Sequence, residues 1–236
     1  MKFFLVLALA LPLQAATPPS VLPQNLKDLS APMQIIILMT ALTLLPAIMM
    51  SITPFLRISI VLHFLRQALG TQSAPSNQVL VGLAMFLTMV LVGPLASQIY
   101  KEAWVPMEAG TVTGGQAWES GTKPLKAYLG RFVREKDVKL FLEITHSPAP
   151  RTMADLDLSV LAPAYILSEM RAGFQIGAII YLPFLMIDIV VASVTLSIGM
   201  VQLPPAMISA PFKILLFVLV DGWNLTVGSL MKGFYS

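Results

Sequence analysis

The chain has 236 residues, 56% of them hydrophobic and only 11% charged, with a mean hydropathy of +0.79. This composition excludes an ordinary soluble domain and marks an integral membrane protein. A net charge of +3 with no run of Lys or Arg excludes a nucleic-acid binder, and the absence of Cys removes disulfides, thiolate metal sites and cysteine nucleophiles.

In chain order, Lys2, the apolar run Phe3 to Leu13 and Gln14-Ala15-Ala16 read as a cleaved signal peptide over residues 1–15. An apolar run of 11 residues is too short to span, since a crossing takes roughly 20. Residues 16–32, with Pro18, Pro19, Pro23 and Pro32, form an extended lead on the outer face of the membrane.

Residues 33–99 hold the N-terminal hydrophobic helices. Met33 to Thr53 is one crossing kinked at Pro46 and closed by Pro54. Phe55 to Leu69 is a second helical stretch carrying Arg57, His63 and Arg66, with a turn from Gly70 to Asn77. Basic residues without acids mark the cytoplasmic side. Val79 to Ile99 then returns outward, with a kink at Gly93-Pro94.

Residues 100–160 are the polar block, with eight Lys or Arg and eight Asp or Glu. They are expected to form a small external domain. Gly110 to Gly121 reads as a loop, and Pro124 to Ile144 as an amphipathic helix through Leu125, Leu129, Phe132 and Phe141. Asp155 and Asp157 are best explained as N-caps of a helix starting near Leu161, because no further ligand stands at metal-binding spacing.

Residues 161–231 hold the C-terminal hydrophobic helices. The apolar stretch from Ala162 to Met200 is nearly twice a crossing length, so it cannot be one straight span, and Pro183 is expected to divide it. Residues 199–205 form a turn rich in helix breakers. Ala206 to Met231 is a last crossing interrupted by Pro211, with a polar bend at Asp221-Gly222-Trp223-Asn224 where Gly222 relieves crowding.

Glu169, Arg171, Asp188, Lys213 and Asp221 all lie within these apolar segments. A lone charge facing lipid costs at least about 2.5 kcal/mol, so they are expected to be buried against protein or water. Two uses compete. A proton or ion pathway would make the chain a secondary transporter or proton-conducting protein. Structural pairing within or between subunits, with Glu169 on Lys213 and Asp188 or Asp221 on Arg171 or another partner, is the reading favoured here, because polar groups join helices in membranes. No HExxH, phosphate-binding loop or Ser/His/Asp order points to an enzyme, and nothing calls for a cofactor or metal.

Arg57-Ile-Ser-Ile-Val-Leu-His-Phe-Leu-Arg66-Gln-Ala-Leu-Gly-Thr-Gln72, followed by Ala74-Pro-Ser-Asn-Gln78, resembles the FliP family of flagellar type III export gates. The same holds for Leu161-Ala-Pro-Ala-Tyr-Ile-Leu-Ser-Glu169, Phe174-Gln-Ile-Gly177, Leu182-Pro-Phe-Leu185, Ile187-Asp188, Pro211-Phe-Lys213 and Leu219-Val-Asp-Gly-Trp-Asn-Leu225. The signal peptide and external block favour the flagellar branch over the injectisome relatives.

The resemblance implies an all-α, multi-pass membrane protein with kinked helical hairpins and a small periplasmic helical insertion, assembling as five copies into a helical ring. Its implied partners are FliQ, FliR, FlhB and FlhA, its cargo unfolded flagellar subunits, and its place the inner membrane of the flagellar basal body, largely toward the periplasm. It makes Glu169 and Lys213 the candidate intersubunit ion pair. It also makes Met200, Val201 and Gln202 the candidate pore gasket, although Val201 and Gln202 stand where the family would carry further Met.

Overall fold

A computed structural model describes residues 30–71, 74–148, 150, 152, 155–200 and 202–235, and the described part is helical throughout, with no strand. The signal peptide over residues 1–15 and nearly all of the lead lie outside the described residues, as does Val201. The helices are α1 (Ala31–Ser51), α2 (Phe55–Ala68), α3 (Asn77–Ile99), a π-helical turn (Tyr100–Trp104), α4 (Val105–Glu108), α5 (Gly114–Phe132), α6 (Glu135–Thr145), α7 (Leu158–Ser197), α8 (Pro205–Leu219) and α9 (Gly222–Tyr235). The chain falls into two units, Met1–Thr53 with Gly93–Tyr165, and Pro54–Val92 with Ile166–Ser236.

In the first unit α1 has 21 residues, a length of about 31 Å that matches the hydrocarbon core of a bilayer. Its hydroxyls need no water, because Thr40, Thr43 and Ser51 donate to the carbonyls of Ile36, Met39 and Ala47 at 2.8 Å. Pro54 follows Thr53 and ends the helix, since the residue before proline avoids helical angles. The polar block does not stand alone. Leu125, Leu129, Val133 and Val138 share one core with Ile52, Leu95, Ile99, Leu161, Ala164 and Tyr165.

Two expectations for this unit are corrected, and a third is placed to the residue. The supposed loop from Gly110 to Gly121 is helical from Gly114 onward, because Thr113 and Gln116 form a capping box that outweighs the Gly114-Gly115 pair. The amphipathic stretch is split between α5 and α6, with Val133 and Arg134 in extended conformation. The helix expected near Leu161 starts at Leu158, with the Asp157 carbonyl accepting from the N–H groups of Val160 and Leu161. Asp155 acts otherwise, its carboxylate accepting from the N–H and hydroxyl of Thr152.

The long apolar stretch is a single helix. α7 runs for 40 residues, about 60 Å or twice a bilayer core, and its helical path continues through Pro183 rather than being divided there. Proline removes one hydrogen bond, but Phe184 beside it is buried against Leu65, Ala68, Leu69 and Phe217, and this packing carries the helix on. α8 likewise passes through Pro211. The last apolar segment breaks ten residues later, where α8 and α9 meet at 64°.

Candidate functional site

In the second unit α2 lies along the first half of the Ile166–Ser197 portion of α7, and small residues set the approach. A Cβ on Gly173 would stand 3.1 Å from Ile60 Cβ, and one on Gly177 only 2.6 Å from Phe64 Cγ. Gly173 and Gly177 share a helix face with Glu169, one and two turns before them. The ring of Phe64 then meets Phe174 edge-on at 5.5 Å. Partners rise together, Arg57 with Glu169, Ile60 with Gly173 and Phe64 with Gly177, so the two helices run parallel.

Two ion pairs stand along this portion of α7, one made with α2 and one with α8. In the first, the Arg57 guanidinium donates to Glu169 Oε1, with the Glu169 side chain fully enclosed and its Oε2 without a hydrogen-bond partner among the described residues. The ring of Phe234 covers the guanidinium, 4.2 Å from Cζ to the ring centroid. In the second, Lys213 Nζ donates to Asp188 Oδ2 at 2.6 Å, and the Ser209 hydroxyl donates to Asp188 Oδ1 at 2.6 Å. Glu169 and Asp188 stand about 28 Å apart along α7, from the helical rise of 1.5 Å per residue.

Within one chain Glu169 and Lys213 do not pair with each other. Each is engaged inside the chain by a different partner, Arg57 and Asp188. Arg57 was visible in the sequence as a base without a nearby acid, but its partner lies 112 positions away, beyond the reach of local spacing. The remaining charges take different positions. Asp188 is half-buried, while Arg171 and Asp221 are exposed on the surface of this chain.

The polar bend does form at Asp221, which adopts a left-handed φ of 51° that Asp tolerates better than most residues. The neighbouring Gly222 leaves room for the Phe217 ring, whose Cδ2 would sit 2.1 Å from any Cβ there. Trp223 meets the same ring edge-on at 5.3 Å. Asn224 donates to the Asp221 carboxylate at 3.1 Å rather than to a backbone carbonyl.

The turn after α7 is built by Gly199 at φ 80°. Gly199 N–H donates to Leu196 O and Met200 N–H to Thr195 O, both at 3.0 Å, which caps the helix. Pro205 then starts α8. Met200, Gln202, Leu203 and Met207 are all exposed around this turn. Of the expected gasket residues, Met200 and Gln202 are thus at the surface, and Val201 is outside the described residues.

The FliP family model matches residues 38–230. This chain belongs to the FliP family. Among FliP relatives, the flagellar biosynthetic protein FliP of Bacillus subtilis is 45% identical over 208 residues, covering 88% of this chain and 94% of the relative. The protein of the same name from Pectobacterium carotovorum is 44% identical, covering 91% of this chain and 83% of the relative. That of Treponema pallidum is 41% identical, covering 90% and 79%. FliP membership and the long apolar helices make this a membrane-embedded protein of flagellar biogenesis with an all-α, multi-pass fold. Both ion pairs, the α2–α7 contact, the Gly199 turn and the Asp221 bend fall inside the matched residues, and only Phe234 lies past them.

Proposed function

We propose that this chain is a core structural channel component of the flagellar type III protein export gate, passing unfolded flagellar subunits across the inner membrane. The observation that carries the reading is the FliP match over residues 38–230. The chain works as one of five copies in a ring with FliQ and FliR, beside FlhB and FlhA and largely toward the periplasm. It has no catalytic chemistry of its own.

The geometry supports this reading in two ways. Asp188 and Lys213 clamp α7 to α8 below the Gly199 turn, so the turn is presented from a braced hairpin. The exposed Met200, Leu203 and Met207 give it an apolar, flexible rim, suited to closing around varied polypeptides. Met207 offsets the methionines missing at Val201 and Gln202.

The ion pairs also disfavour the transporter reading. Glu169 and Asp188 are held by cations within the chain, and a proton relay needs carboxylates free to exchange protons along a connected path.

The test is complementation in a flagellated bacterium deleted for its own FliP protein. The chain should restore export of flagellar subunits, and Met200→Gly should raise small-ion leakage while leaving assembly intact. Unchanged leakage would remove the gasket role, and a chain that assembles yet never supports export would refute the channel assignment.

A further inference from the structure

We infer that α9 is a clasp whose far end is fastened by the face of Phe234 on the Arg57 guanidinium, and that this contact closes the Arg57–Glu169 pair against water. The inference does not depend on the conduit reading. α9 buries Gly222, Thr226, Leu230 and Phe234, every fourth residue, and so presents one narrow face to its own chain. Its near end is set by the Asp221 bend and by the Phe217 ring in the space beside Gly222. Its far end reaches Arg57, at the start of α2, where both Arg57 and Phe234 are buried.

The chemistry of the far end is specific. A guanidinium bonds a carboxylate in its own plane and leaves its face open. The Phe234 ring lies over Arg57 with its electron-rich face 4.2 Å away, which attracts the cation and excludes water at the same time. Exclusion matters because the Glu169 carboxylate has no exposed surface, and its attraction to Arg57 weakens wherever solvent enters. The second half of the bent apolar pair thus ends on a buried cation of its own chain, so α9 is not a freely standing membrane segment.

Lys232, in the last turn of α9 and exposed, reports detachment of the clasp. Full-length chain extracted in mild detergent is treated with trypsin, and release of the C-terminal peptide is timed by mass spectrometry. Each rate is normalised to a synthetic peptide carrying the same substitution. Phe234→Leu keeps apolar cover but loses the aromatic face, and should speed release roughly three- to thirty-fold. Phe234→Trp should match the native rate or fall below it. With Arg57→Met and Glu169→Met together, Phe234→Leu should change the rate by no more than about two-fold, as the coupled partner is gone. Equal acceleration with and without the ion pair would overturn the proposal. Should the neutral chain not be recoverable, the charged chain decides alone: leucine matching phenylalanine overturns the clasp, and the order tryptophan, phenylalanine, leucine upholds it.

Discussion

Replacing Arg57 with Met tests the energetic reading of the enclosed pair most directly. Glu169 would then keep a fully buried carboxylate with no partner on Oε1, added to an Oε2 that already has none among the described residues. Removing one partner of such a pair costs about 3–5 kcal/mol, because the remaining charge stays desolvated without compensation. At 0.59 kcal/mol for RT, that loss lowers the folded-to-unfolded ratio about 150- to 5,000-fold, a large fraction of a typical stability margin of about 5–15 kcal/mol. Arg57→Met with Glu169→Met should recover most of the loss, since two apolar side chains of similar volume remove the charge along with its penalty. The assay is the amount of chain retained in membranes together with its thermal midpoint in detergent, for both single variants and the double. A double variant no better than Arg57→Met would refute the reasoning, as would a single variant as stable as the parent.

Three further outcomes are expected. Gly222→Ala should destabilise the chain by about 1–3 kcal/mol through overpacking on Phe217, and Phe217→Leu in the same chain should return part of it, measured as the thermal midpoint. Gly177→Leu should push α2 away from α7 at Phe64, lowering the yield of folded chain, whereas Gly82→Leu, with open space around it, should not. Thr113→Ala should remove the acceptor for the Gln116 N–H at a cost of about 1 kcal/mol. Faster hydrogen exchange confined to the first turn of α5 would report it, with Thr113→Ser close to the parent.

Composition and hydropathy alone determined that the protein is helical and membrane-embedded, because long apolar runs with few charges admit few other solutions. The bend at Asp221 and the breakers from Gly199 to Pro205 were legible for a local reason: left-handed backbone and proline act on their immediate neighbours. Local punctuation misled where packing or capping outweighed it. The Gly114-Gly115 pair yielded to the Thr113 capping box, and Pro183 and Pro211 did not stop helices held by buried neighbours such as Phe184 and Lys213. The pairing of charges lay wholly outside local reach. Spacing along the chain could say that Glu169 and Lys213 needed opposite charges, but many partners satisfy that demand equally. Only the tertiary structure chose Arg57 and Asp188, because the close approach of α2 to Gly173 and Gly177, and of α8 to α7, brings those side chains within bonding distance.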